Sequence, residues 1–389
     1  MDSNNKRSIE NDEYDENDSK KFKVTHEPFV SCVEYPTAVN LTSLCDDVIM
    51  HIFKFLTHDN LANMSLVCRS LSRISKDWTL WKNVCFAKYE KSMENVYMNY
   101  LKACTTNLVI RGMDIPNYDA SVSDKFISHL ELRCPELVSL NLHKQKIDNN
   151  EINIKYFHRG LKILKIKHTT VENIPESTSF LNGLNNSCPN LEIVKMQYND
   201  WFMPPCLYAL AKLEKLKYLS LKGCKHFKDC IPYASVTTIT GFKFLETLDL
   251  RFTPISDHEL VCFQRLKELK NVYLESPPDT DHNSDVTISD LGLSRFCNDL
   301  FSFHNRYIRI LIGGGEVNVH RVHDRIDQID KSKLKKLIVR NYPKVTDAFL
   351  ISAAKSCPYI EALDITGTSC SLEEIERYKA QRPKVDIVY

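Results

Sequence analysis

Excess charge of either sign is what this chain lacks first: 51 Lys and Arg stand against 50 Asp and Glu in 389 residues, a formal net charge of +1. That balance excludes broad electrostatic attachment to nucleic acid or to an anionic membrane surface, which needs a charge excess. No apolar run approaches the roughly 20 residues that cross a bilayer, and the opening MDSNNKRSIENDEYDENDSKK lacks the apolar core of a secretory signal. A soluble protein made in the cytosol is expected, with neither nucleic acid nor membrane as partner. None of the 14 cysteines forms a C-x-x-C pair, and no Cys/His cluster has zinc-finger spacing. Catalytic constellations are missing as well: His51, His58 and His129 have no Ser, Cys or carboxylate at a productive local spacing. Gly313 to Gly315 are followed by no Gly-Lys-Ser/Thr, so they read as turns and not as a phosphate loop. The chain therefore reads as a non-enzyme that needs no metal and no cofactor.

What the chain does have is length and apolar content. At 389 residues and 43% hydrophobic it exceeds one ordinary domain and can bury a large core. The exception is the start. Residues 1–36 are poor in apolar side chains and rich in Asp, Glu, Asn, Ser and Lys, so they cannot offset the entropy of ordering and are expected to be a disordered charged tail. Within that tail Lys6-Arg7 and Lys20, Lys21 and Lys23 flank an acidic spacer. That arrangement resembles a bipartite nuclear import signal over 6–23 and makes cytoplasm, nucleus or both the expected location.

Residues 37–90 read as a small helical unit. After Asp46 and Asp47, the positions Val48, Ile49, Ile52, Phe53 and Leu56 recur at helical spacing. His58-Asp59-Asn60 breaks that helix and offers a new N-cap. Leu61, Met64, Val67, Cys68, Leu71 and Ile74 then predict one second amphipathic helix. Asp77 caps a third turn carrying Trp78, Leu80, Trp81 and Val84. So small a unit with so much apolar surface is marginal alone and calls for a partner or a neighbouring domain.

The segment 41–84, LTSLCDDVIMHIFKFLTHDNLANMSLVCRSLSRISKDWTLWKNV, resembles an F-box. Leu44 matches the family's opening Leu, Ile52 to Leu56 its first helix, Leu61 to Leu71 its second, and Asp77, Leu80 and Trp81 its closing phrase. Cys45 stands where the family usually has Pro, and Leu71 where an aromatic is frequent. The resemblance implies docking on a Skp-family adaptor, and through it on cullin and RING subunits. The contact residues it implies are Leu44, Ile49, Ile52, Leu56, Leu61, Val67, Cys68, Leu80 and Trp81.

Downstream the phrase L-x-x-L-x-L, with aliphatic substitutes, starts at 137, 161, 191, 216, 245, 269, 334 and 360, in steps of 24, 30, 25, 29, 24, 65 and 26. NLVIRG (107–112) is a partial first copy, and the long step leaves room for a degenerate one at LFSFHN (300–305). Helix-like runs lie between, as in 123–137 and 346–360, and several end in Cys-Pro, at Cys134, Cys188 and Cys357. The cysteines there act as small hydrophobes and the prolines as helix stops. Period and phrase together resemble the cysteine-containing leucine-rich repeats, whose alternate strand residues point inward. The expected fold is α/β: a small helical F-box (37–90), then a leucine-rich-repeat solenoid (91–389), a horseshoe with a parallel concave sheet, outer helices and an irregular segment at about 276–333.

On such strands the outward positions are Ile163, Lys165 and Lys167; Ile193, Lys195 and Gln197; Tyr218, Ser220 and Lys222; Thr247, Asp249 and Arg251. Lys165, Lys167, Lys195, Tyr218, Lys222 and Arg251 thus form an expected substrate-binding stripe, suited to an acidic or phosphorylated protein. The F-box resemblance and the repeats together imply a substrate-recognition subunit of an SCF-type cullin–RING ubiquitin ligase. The alternative is a non-ligase interaction scaffold built on the same parts.

Overall fold

The computed structural model describes residues 40–115, 118–175, 178–227, 231–278, 287–297, 309–312, 315–318 and 333–389. The charged tail with its basic clusters and the segment 300–305 lie outside the described residues. The chain forms two compact units, Met1–Cys45 and Asp46–Tyr389. The described part of the first is a 3-10 turn, Leu41–Ser43, in which the Asn40 side chain accepts the Thr42 N–H.

The second unit opens with α1 (Asp46–Phe53), α2 (His58–Val67) and α3 (Arg69–Ser75). The first helix stops at Phe53, which leaves Leu56 in the following turn. Thr57, rather than the His-Asp-Asn triplet, caps α2 and accepts the Asn60 N–H at 3.3 Å. The single helix expected over Leu61–Ile74 is two helices. Cys68 is extended (φ −156°, ψ 167°), so the apolar run bends and folds back on itself. Asp77 caps a 3-10 turn, Trp78–Leu80, as its sequence position predicts.

Among the described residues eleven strands then form one parallel sheet, each hydrogen-bonded to the next sheet strand along the chain. They are Asn83–Phe86, Asn107–Arg111, Ser139–His143, Ile163–Lys167, Ile193–Gln197 and Tyr218–Ser220, then Thr247–Asp249, Asn271–Glu275, Lys336–Arg340, Ala362–Asp364 and Asp386–Val388. All eight leucine phrases and the partial copy at 107 are strands. The first and last strands carry no full phrase, and sequence reading did not find them. Because Asn83–Phe86 pairs with Asn107–Arg111, the sheet begins inside the segment read as the helical unit, and no structural break falls at residue 90.

Along the strands burial alternates. Leu140, Leu164, Val194, Leu219, Leu248, Val272 and Leu337 are fully buried and in register, while most of the strand residues flanking them are half-exposed, with Ser139, Ser220, Asp249 and Ile338 buried as exceptions. Each such aliphatic stabilises the fold by about 1.5–3 kcal/mol relative to exposure, but only when neighbours on both sides are present. The buried face is covered by α4 (Glu94–Tyr100), α5 (Asp124–Arg133), α6 (Leu184–Ser187), α7 (Pro204–Ala211), α8 (Ile231–Thr240), α9 (Asp257–Phe263), α10 (Asp290–Cys297), α11 (Asp347–Ser356) and α12 (Leu372–Gln381). The unit is an α/β repeat solenoid.

Cys134, Cys188 and Cys357 each close a helix, donate their N–H to the carbonyl four residues back, and are fully buried. Burial pushes the Cys188 thiol up to about 12 and the Cys134 thiol up to about 11, so both stay protonated. In the last repeat Arg382 takes that place and donates to the carbonyls of Ala354, Cys357 and Pro358.

The 65-residue step is not two repeats. Asn271–Glu275 pairs directly with Lys336–Arg340, with no strand between them among the described residues. In the regular repeats the strand begins five residues after Cys134, Cys188 or Cys357. After Cys297 it begins 39 residues later, an insertion of 34 residues. The irregular segment is therefore narrower than 276–333, because α10 supplies an ordinary repeat helix at its start. Within the insertion, Arg309–Ile312 and Gly315–Asn318 pair antiparallel.

Candidate binding surfaces

The helical unit has a core of its own. Ile49, Phe53, Leu61, Leu71, Ile74, Leu80 and Trp81 are buried, and the Trp81 indole donates to the Ser75 carbonyl at 2.7 Å. Its ring packs beside His58 and Tyr100. Four of the nine expected adaptor contacts, Ile49, Leu61, Leu80 and Trp81, are therefore occupied inside the chain. Leu56 and Cys68 are half-buried, as is Leu44 in the first unit, and Ile52 and Val67 are exposed.

The surface instead carries apolar residues that sequence reading did not nominate. Phe55 is 79% exposed, Leu66 84% and Trp78 59%, with Val48 also exposed, and they lie on the same unit as the nominated Val67 at 64%. Around α1 the signal was present: Val48 and Ile52 form one stripe, continued by Phe55 in the turn that follows, Ile49 and Phe53 form another, and a helix apolar on two faces has to bury one elsewhere. A shallow cleft between α2 and α3 is lined by Ser65, Leu66, Cys68, Arg69, Ser72, Arg73 and Lys76.

His58 joins this unit to the sheet. Its Nδ1 accepts the Cys85 N–H from the first strand, so Nε2 carries the proton and donates to the Leu80 carbonyl, both at 3.3 Å. Burial lowers its pKa below the ordinary histidine value.

The stripe expected on the sheet is brought together. Lys165 faces Lys195 and Lys167 faces Gln197 across one strand pair, and Ile193 faces Tyr218 across the next. Lys222 lies beside Gln197, since its carbonyl accepts the Tyr198 N–H at 2.8 Å, and Arg251 lies one strand further. Arg251 is engaged, however. Its guanidinium forks onto Asp249 at 2.9 and 3.0 Å, and that ion pair raises its pKa. Asp249 is fully buried, accepts from Ser220 at 3.1 Å, and Ser220 accepts from the Gln197 amide at 2.9 Å. Burial pushes the Tyr218 hydroxyl up to about 12.

Sequence reading missed a row of residues just past the strand ends. His168, Tyr198 and Phe252 adopt left-handed backbone (φ 48°, 54° and 56°), as do Gly223, Asn341 and Gly367 at the same position of other repeats. The His168 and Tyr198 rings stack at 4.7 Å and 8°. The only sequence signal was positional: Gly or Asn at this place in other repeats marks a left-handed residue. His143, beside this row, is lowered to about 4 by burial, then by Arg111 and Lys167.

An F-box-like family model matches residues 41–87, so the chain carries an F-box-like domain there. Among solved structures the chain is similar to one in the complex of Rad7 and Elc1 in yeast, with 12% identity, 88% of this chain and 68% of that one covered, and a TM-score of 0.42. It is also similar to a chain in the TLR13–ssRNA13 complex, with 16% identity, 78% of this chain covered and a TM-score of 0.44. This chain spans 38% of that longer one.

Proposed function

We propose that this chain is the substrate-binding subunit of an SCF-type cullin–RING ubiquitin ligase, with repeats of the leucine-rich class. The observation that carries the reading is the exposure of Phe55, Leu66, Val67 and Trp78 on the very segment that matches the F-box-like model. Large apolar side chains concentrated on a small helical unit mark a docking surface, and here the partner is a Skp-family adaptor. The adaptor links the chain to cullin and RING subunits, while the uncovered face of the sheet holds a protein substrate. Catalysis is then positional: substrate lysines meet a charged conjugating enzyme at high effective concentration, and this chain supplies no reacting group. Nuclear delivery through Lys6-Arg7 and Lys20, Lys21 and Lys23 belongs to the same proposal.

The test is affinity purification of the tagged full chain. Recovery of adaptor, cullin and RING subunits in stoichiometric amounts supports the ligase. Recovery of the adaptor without cullin assigns the scaffold role instead, and recovery of neither overturns the proposal.

A further inference from the structure

Charge is missing from one stretch of the outer helices. The eight residues of α7 and the ten of α8 include no Asp, Glu, Lys, Arg or His, in a chain that is 26% charged. The short α6 before them has none either. Each of α4, α5, α9, α10, α11 and α12 carries at least one acidic residue in its first turn. Because α7 packs against α8, and α8 against α9, the uncharged helices lie side by side.

Where these helices meet solvent they are apolar. Met203, which caps α7, and Ile231, which opens α8, are exposed, as are Tyr208 and Ile239. Tyr233 and Val236 are half-buried on the same helix as the two isoleucines. Exposed apolar residues on other outer helices stand among charges: Leu132 between Glu131 and Arg133, Leu291 after Asp290, and Ile351 one turn from Lys355. Single residues of that kind are ordinary surface, whereas several on adjacent charge-free helices mark an interface.

The polar groups of α8 are turned inward. The Thr237 and Thr238 hydroxyls each donate at 2.7 Å to the carbonyl four residues back, as the Thr240 hydroxyl does at 3.0 Å. Ser235 is buried and accepts from Arg265 at 3.1 Å. Lys212, the first charge after α7, has its ammonium 4.4 Å from the Tyr208 ring centroid. Such a surface offers shape and apolar area without the charges by which one protein selects a different one. It suits its own copy. A two-fold contact needs a patch that complements itself, which a surface of one sign does not do and an uncharged one does. Interfaces between identical subunits are also the more apolar class. A net charge of +1 lets two chains approach without strong repulsion.

We infer that the outer face of α7 and α8 is a homodimer interface. The α8 helix of one protomer lies antiparallel on that of its partner, about a two-fold axis near Ser235 and Val236. Ile231 of each protomer then meets Ile239 of the other, with Met203 and Tyr208 flanking the contact. The dimer joins two F-box-like units and two sheet faces in one assembly, which raises the effective concentration of whatever each face holds. It stands independently of the adaptor and substrate readings.

The experiment is sedimentation velocity of the full chain over a dilution series from high micromolar to nanomolar concentration. A concentration-dependent dimer is expected, and it should persist in the Phe55→Ser/Leu66→Ser variant, which removes the exposed apolar side chains of the F-box-like unit. Ile231→Lys alone and Ile239→Glu alone should each weaken the dimer about tenfold, since each places an unpaired charge in the contact. The Ile231→Lys/Ile239→Glu double variant should recover most of that loss, because the two introduced charges face each other across the two-fold axis. Leu132→Lys on α5 is the unaffected control. A chain that is monomeric at every concentration overturns the inference, and its binding to phosphatidylcholine vesicles would assign the face to a membrane surface. Loss of the dimer in Phe55→Ser/Leu66→Ser overturns it in favour of the F-box-like surface. A dimer untouched by both single variants, or weakened equally by Leu132→Lys, overturns it as well. Failure of the double variant to recover overturns the antiparallel arrangement. Thermal melting of each variant confirms an intact fold.

Discussion

The Asp290 carboxylate accepts both the backbone N–H (2.8 Å) and the hydroxyl (2.6 Å) of Thr346, 56 residues further along the chain. Asp290 is the first residue of α10, and Thr346 caps α11. The same clasp joins Asp257 at the start of α9 to Ser289, and Asp347 at the start of α11 to Ser371, the cap of α12. Each helix start thus holds the next, and the Asp290 clasp closes the repeat that contains the insertion. Asp290→Ala removes two charge-assisted hydrogen bonds and should destabilise the chain by about 2–4 kcal/mol. Asp46→Ala breaks an exposed pair with Arg73 (2.6 Å) and should change stability by less than about 1 kcal/mol. Urea midpoints of the two variants check the ranking, and equal midpoints refute it.

Adaptor capture separates surface from core in the helical unit. Phe55→Ser with Leu66→Ser should abolish adaptor recovery and leave the melting temperature near that of the parent, because both side chains are exposed. Trp81→Ala should also abolish it, but through unfolding of the unit, since a buried tryptophan contributes about 3–5 kcal/mol. Circular dichroism alongside the pull-down distinguishes the two losses.

Acid should loosen the junction between helices and sheet. His58 binds its two backbone partners as a neutral imidazole, and burial holds its pKa below the ordinary value of 6.5. The unfolded chain then binds the proton more readily than the folded one, so stability is complete above about pH 6.5 and falls as the pH drops below it. His143, lowered to about 4, acts in the same direction and extends the loss towards that pH. Urea midpoints measured down the range should decline, and His58→Gln should flatten the first part of the decline. A midpoint that rises on acidification contradicts the assignment.

The insertion should be dispensable for folding. Asn271–Glu275 and Lys336–Arg340 pair directly, and α10 packs between α9 and α11. Replacing 298–332 with a short Gly-Ser linker should preserve the far-ultraviolet spectrum and a single cooperative melt. A broad or early transition would make the insertion part of the core.

The sequence determined the repeat on its own. Leucine phrases at steps of 24 to 30 specify strands, because one face of each must be buried and its neighbours repeat the demand. Cys-Pro at Cys134, Cys188 and Cys357 fixed the helix ends, and the alternation of the strands put Lys165, Lys167, Lys195, Lys222 and Arg251 on one face. Tertiary structure decided the rest. Trp78 and Trp81 lie three residues apart, yet one is 59% exposed and the other 6%. Periodicity cannot rank them when a short helical unit is apolar on more than one side. The strands Asn83–Phe86 and Asp386–Val388 exist because a neighbouring strand edge pairs with them, and neither carries a full leucine phrase. Whether a cation is free or paired also depends on register between repeats. Asp249 occupies Arg251 and leaves the lysines beside it unneutralised, and the Tyr198 ring gathers Lys167 and Lys222 from strands two apart in the sheet. The Asp249–Arg251 pair is local, two residues apart, but the ring contacts join residues 31 and 24 positions apart in sequence that are adjacent only once the strands are stacked.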